Sequence, residues 1–155
     1  MNNFFDESIS LMKEIYGKDT PMSFATVNEN CPNIRVVDTY YKDNAFYIVT
    51  YALSNKVKEI TKNPKVALNH NLFVAHGTAE NIGHPLEEQN KEIRKELKNI
   101  FMPWYNKHNN EQDKNMCFVK ITLNDVMLFA NDHKYYIDYH EGTATKEKFI
   151  TDISF

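Results

Sequence analysis

Glycine is scarce in this sequence, four in 155 residues, and none sits in a Gly-x-Gly-x-x-Gly or Walker-type loop. The usual backbone cradles for dinucleotides and nucleoside triphosphates are therefore missing. Cysteine is scarcer still. Cys31 and Cys117 are too few for a disulfide framework and too far apart for a Cys-x-x-Cys metal knuckle, so both read as structural thiols. Positive charge is not in excess: a net charge of −3 gives no field for sequence-independent binding to nucleic acid or to an anionic membrane, although it leaves room for a local phosphate site. No apolar run reaches the length needed to span a bilayer, and the first seven residues lack the basic and apolar regions of a signal peptide. A cytoplasmic location is expected. None of the six histidines, His70, His76, His84, His108, His133 and His140, forms a His-x-x-x-His pair or a His-Glu-x-x-His motif, which argues against a zinc hydrolase and leaves no metal site to expect.

What is present is a chain 42% hydrophobic and 25% charged, rich in Phe and Tyr, as suits one domain built on pleated surfaces. Phe5, Ile9, Met12 and Ile15 recur at helical spacing and predict an amphipathic helix over about 4–16, lying on the rest of the fold. From Pro21 the period becomes strand-like. Strands are predicted at 22–27, 33–41 and 45–50, joined by turns at 28–32 and 42–44. Ser54 opens a short helix carrying Val57 and Ile60, which Asn63-Pro64 ends. Strands follow at 65–71 and 73–81. Pro85 is placed in the first turn of a charged helix with Ile93, Leu97, Ile100 and Phe101 as its apolar stripe. Residues 106–115 read as polar loop. A hairpin is predicted from 116–122 and 126–130 about Leu123-Asn124-Asp125, with an edge strand at 135–139. So many antiparallel strands with few helices predict a mainly β fold with peripheral helices, an antiparallel six- to seven-stranded split β-barrel. It forms a single domain over 1–155, with the N-terminal helix in 1–20, the core barrel in 21–82, and a helix, loop and closing strands in 83–155.

The informative residues lie in Arg35-Val36-Val37-Asp38, Val49-Thr50-Tyr51-Ala52-Leu53-Ser54-Asn55-Lys56 and Asn63-Pro64-Lys65-Val66-Ala67-Leu68. Arg35 offers a planar fork of donors suited to a phosphate, and Lys56 adds a mobile positive charge. Ser54 and Asn55 stand at the start of a short helix, where free N–H groups and the dipole favour an anion. Taken singly, each cation is an ordinary solvated charge and Ser54 a plain N-cap. Together they favour a phosphate site. Neither cation is expected to support the core.

With Ser23 to Val27 before them and Gly77 to Glu80 after them, these segments resemble the pyridoxamine 5′-phosphate oxidase-like FMN-binding split-barrel family, over Met22 to about Ile82. The resemblance implies flavin mononucleotide (FMN) bound by Arg35, Val36, Val37, Asp38, Val49, Thr50, Ser54, Asn55 and Lys56, with the backbone near Val36 and Val37 beside the ring and Thr50 bonded to the cofactor. It also implies a homodimer with the cofactor at the subunit interface. Met102-Pro103-Trp104-Tyr105 reads as a helix end plugged into the core or the dimer seam, with Trp104 stacking on the flavin as the competing role. Vitamin B6 oxidation itself is not implied. The family's oxidases carry a lysine five positions after the arginine and a C-terminal Arg-x-His, whereas Tyr40 stands at the first position and no arginine follows Asp132. The general-stress-protein and nitroimidazole-resistance-like branch fits better. Three functions stay open: an FMN-dependent oxidoreductase acting on a small molecule with NAD(P)H as candidate donor, a flavin- or haem-binding module without turnover, and a barrel whose ligand site has decayed. Some relatives hold haem through histidine, which keeps His70 and His76 in view, although a hydrogen-bonded structural role is the commoner one for strand histidines.

Overall fold

Alternating burial along successive strands builds the barrel. In the computed structural model, which describes residues 3–155, helix α1 (Phe5–Tyr16) precedes β1 (Thr20–Asn28), β2 (Cys31–Lys42) and β3 (Ala45–Tyr51). The turn between β2 and β3 places Asp43 and Asn44 at φ 47° and 63°, the left-handed pair whose twist suits a two-residue hairpin. Then come α2 (Asn55–Lys62), β4 (Lys65–His70), β5 (Phe73–Asn81), α3 (Lys91–Ile100), the single turn α4 (Tyr105–His108), β6 (Met116–Ala130), β7 (His133–Asp138) and β8 (Thr143–Lys148). Strand order is β3-β2-β1-β4-β5-β6-β7-β8, and β3 pairs a second time with β6 along its whole length. That second pairing closes the first six into a barrel and leaves β7 and β8 as an extension. The expected mainly β split barrel with peripheral helices is the fold observed. Among the described residues no helix is long and apolar enough to cross a membrane.

Phe24, Phe46, Ile48, Leu68, Phe73 and Ile121 fill the interior. Helix α1 does more than lie on the surface: Met12 is fully buried, and the Tyr16 ring comes within 4.4 Å of Phe73. Outside the barrel, Leu97, Phe101 and Tyr105 pack with Met116 and Phe118 against Tyr47, Val49 and Tyr51 of β3. The apolar stripe expected of the charged helix is thus real.

Four expectations are corrected. The hairpin about Leu123-Asn124-Asp125 does not exist, because β6 runs through it as one strand of 15 residues. Its inward positions change parity between Leu123 and Val126, and the sequence reading took that phase break for a turn. The structure absorbs it as a β-bulge, with Gly77 opposite Leu123, His76 opposite Asp125 and Asn124 as the extra residue. Gly77 permits the close approach, since a Cβ there would lie 2.6 Å from the Thr122 carbonyl oxygen. Pro85 does not open α3. The segment before the helix is held instead by buried Asn90, whose Nδ2 donates to the Ile82 and His84 carbonyls at 2.9 and 3.0 Å, and the helix starts at Lys91. The strand predicted at 135–139 is not an edge, because β8 pairs beyond it. With Thr-Ala-Thr-Lys-Glu-Lys as its sequence and only Ala144 buried, β8 carries almost no hydrophobic alternation to read. The predicted loop at 106–115 also begins inside the helical turn α4.

Candidate functional site

The ladder between β2 and β3 holds only the pairs Tyr40↔Tyr47, Tyr41↔Phe46 and Lys42↔Ala45. Past them β2 stays with β1 and β3 stays with β6, so the two strands part. A cavity of about 550 Å³ lies there, lined by Arg35, Val36, Val37 and Asp38 of β2, Ile48, Val49 and Thr50 of β3, Lys56 of α2, and Asp19, Trp104, His108 and Asn109. Small-molecule sites span roughly 300–1,000 Å³. The cavity therefore brings together every residue assigned to the cofactor from the sequence except Ser54 and Asn55. Asn55 instead faces a separate polar hollow with Asn28, Asn33, Lys58, Glu59 and Lys62.

Two cations meet at one end. Arg35 stands opposite Phe24 in the β1–β2 ladder and shares its inward face. Its Nη1 donates to the Phe24 carbonyl at 3.3 Å and to the Thr26 hydroxyl, and its Nη2 pairs with the Glu59 carboxylate at 3.3 Å. Glu59 is buried and also accepts hydrogen bonds from the Thr26 hydroxyl and the Asn33 amide. The Thr26 bond, then those from Asn33 and Arg35, hold its carboxyl below the ordinary range against the opposing effect of burial. The expectation that neither cation supports the core is corrected for Arg35, which neutralises a carboxylate inside the barrel wall. Lys56 differs. Its Nζ donates to the Thr50 hydroxyl at 3.1 Å, and among the described residues no carboxylate pairs with it. Burial first, then the Arg35 guanidinium, holds its ammonium below the ordinary range, with Cys117 opposing.

Ser54 takes the N-cap position of α2, yet its side chain makes no capping bond, and its Oγ is enclosed without a hydrogen-bond partner. Simple capping therefore does not explain this hydroxyl.

The other end is acidic. Trp104 packs on Phe101 at 4.6 Å between ring centroids, and its Nε1 donates to Asp19 Oδ2 at 2.8 Å. Tyr105 beside it is buried and Trp104 half-buried, whereas Met102 and Pro103 are exposed, so only the second half of the cluster plugs into the fold. Burial, then the Asp19 carboxylate, raises the Asp38 carboxyl above its ordinary range, with His108 opposing. His70 and His76 lie on barrel strands as expected, but their Nδ1 atoms engage the Pro21 carbonyl at 3.0 Å and Asp125 at 2.8 Å, and neither lines the cavity.

Sequence reasoning missed Asp19, His108, Asn109 and Ile48 in the lining, and Glu59, Thr26 and Asn33 behind Arg35. For Glu59 a signal existed: it sits three residues after Lys56, on the same side of α2. Asp19 sits in a short connection with no pattern around it.

A family model described as pyridoxamine 5′-phosphate oxidase matches residues 10–129. Solved structures with the same fold include general stress protein 26 from Bacillus anthracis, 22% identical, with 80% of this chain and 92% of that one covered and a TM-score of 0.59. A FAD-binding protein from Mesorhizobium loti is 16% identical, with 76% and 90% covered and a TM-score of 0.58. A pyridoxamine 5′-phosphate oxidase-related, FMN binding protein from Nostoc punctiforme is 12% identical, with 97% and 100% covered and a TM-score of 0.59. At these identities the structures speak for the fold. Comparison with curated proteins gives no match.

Proposed function

Because the chain belongs to the pyridoxamine 5′-phosphate oxidase family, we propose that its cavity holds FMN and that the protein is a flavin-dependent oxidoreductase acting on a small molecule. The observation that carries this reading is the pair Arg35 and Lys56 on one cavity, the lysine partly buried, depressed in pKa and without a carboxylate partner. An anion of charge near −2 relieves that repulsion. In this assignment Arg35, Lys56 and Thr50 hold the phosphate, while Val36 and Val37 border the ring. Bound flavin would supply hydride or electron transfer, and the protein's part is binding, orientation and shielding from water. His70 and His76, already engaged elsewhere, weigh against the haem alternative.

A homodimer belongs to the same reading. Ile34 and Val36 point outward from β2 at 71% and 70% exposure, and Leu53 follows at 63%, an apolar rim at the cavity that a second copy would cover. The flavin would then lie in a groove shared by two chains.

Lys56 provides the test. Bound phosphate raises its pKa above that of the free protein, so FMN affinity is full below the depressed pKa and falls as pH rises through it, with a proton taken up on binding in that window. Cys117, pushed up to about 11 by burial, stays a neutral thiol over most of it. Titration of FMN at several pH values above neutrality, on the parent and on Lys56→Gln, is expected to show this slope in the parent alone. Equal slopes would exclude Lys56 from the phosphate site.

A further inference from the structure

The stretch from Asn106 to Asn115 contains no apolar side chain, yet it and the turn before it bring Trp104, His108 and Asn109 to the cavity. Burial of apolar surface cannot place such a stretch, so its position rests on polar ties. We infer that Glu111 and Arg94, neither of which lines the cavity, are positioning residues for the cofactor site, their ion pair holding this wall against helix α3. The inference rests on reading the cavity as the flavin site.

Arg94 stands on α3, whose apolar stripe packs with β6 residues against β3. Its Nε donates to Glu111 Oε1 at 2.8 Å and its Nη2 to Glu111 Oε2 at 2.7 Å, the parallel fork that gives an arginine–carboxylate pair both strength and direction. The Glu111 carboxylate is mostly shielded from solvent, so salt weakens the pair little. Its Oε1 also accepts the Tyr105 hydroxyl at 3.0 Å, and Tyr105 is buried beside Trp104. One carboxylate thus joins the two ends of the segment 105–111 and fastens them to α3. The Arg94 bonds first, then the Tyr105 hydroxyl, hold its carboxyl below the ordinary range against the opposing effect of burial, which keeps the pair charged at neutral pH. Other ties of the stretch, such as the Asn110 N–H to the Tyr51 hydroxyl at 3.1 Å and the Asn109 amide to the Tyr105 carbonyl at 3.0 Å, join neutral groups.

Helix α3 is itself tied to β2. Glu96, two residues after Arg94, accepts the Tyr40 hydroxyl at 3.0 Å and pairs with Lys42. Tyr40 and Lys42 belong to the few β2–β3 pairs formed before the strands part. One helix therefore links the strand that supplies Arg35 to Asp38 with the segment that supplies Trp104, His108 and Asn109, and it fixes these two parts of the lining relative to each other. Without the Arg94–Glu111 pair the segment keeps its cofactor-ready position for only part of the time, and the apparent affinity falls by that fraction.

The test measures FMN affinity by flavin fluorescence, and acrylamide quenching of Trp104, the sole tryptophan, in the flavin-free chain. Glu111→Gln keeps the shape and the acceptor for Tyr105 but removes the charge, and is expected to bind FMN about tenfold more weakly. Arg94→Gln is expected to lose as much, and the double variant no more than either, because the two side chains act as one unit. Arg94→Lys, which keeps the charge without the fork, is expected to fall between parent and Arg94→Gln. The His108 ring lies 6.4 Å from that of Trp104, so release of the segment uncovers the indole and raises the quenching constant in both Gln variants. A pair that serves only global stability leaves the FMN affinity of the folded variants at the parent value, and that result overturns the inference. Additive losses in the double variant, or an unchanged quenching constant, overturn it as well. If FMN binds to no form of the chain, the flavin reading fails while the acrylamide series still decides whether the pair holds the wall.

Discussion

Arg35→Ala is expected to weaken FMN binding by about 2–4 kcal/mol, or roughly thirty- to a thousandfold, because a bidentate charged donor is lost from the phosphate. It is also expected to destabilise the fold by about 1–3 kcal/mol, since the buried Glu59 carboxylate loses its cation and keeps only Thr26 and Asn33. The two effects can be separated. In the double variant Arg35→Ala/Glu59→Gln the uncompensated charge is gone, so urea unfolding should return towards the parent while FMN affinity stays low. If the double variant recovers both, Arg35 acts on the cofactor only through the integrity of the barrel wall.

Val36→Asp is expected to convert a dimer into a monomer. Val36 is exposed at the cavity rim and supports nothing in the core, so the isolated chain should remain folded. In an isologous interface the substitution acts twice. Two carboxylates buried against apolar surface cost on the order of 3–4 kcal/mol, which raises the dissociation constant several hundredfold or more. Sedimentation velocity at micromolar concentration measures this directly. FMN affinity should fall along with dimerisation, because the groove loses its second wall. A parent chain that sediments as a monomer and still retains flavin would remove the dimer from the account.

How much could be read from the sequence follows from where the signals are local. Strand β5 and helix α1 were placed almost to the residue because their apolar positions keep one period from end to end. The bulge at Asn124 was misread because a break in parity looks the same whether the chain turns or adds one residue. Only the partner strand, with Gly77 in place to permit it, decides between them. Strand β8 was invisible because pairing with β7, not burial, makes it a strand. In the site, Arg35, Val36, Val37, Asp38, Thr50 and Lys56 were legible because two neighbouring strands and the following helix carry them in order. Trp104 reached the same cavity from a distant helix end, with its placement unspecified by the sequence. The meeting of Asp19 with Asp38 was not legible, nor was that of Glu59 with Arg35, although the spacing of Glu59 from Lys56 on α2 was a signal left unused. They depend on register, Pro21 against Asp38 and Phe24 against Arg35, and register is a property of two segments at once.

The central claim is that the paired cations at the parted strands bind the phosphate of FMN. Its most direct test is titration of the flavin-free protein with FMN and with riboflavin, which share the ring and differ in the phosphate, followed by flavin fluorescence. FMN is expected to bind at least about a hundredfold more tightly, since riboflavin leaves Lys56 without an anion and the free N–H groups of Arg35 without a phosphate acceptor. Equal affinity for the two flavins, or no binding of either, would contradict it.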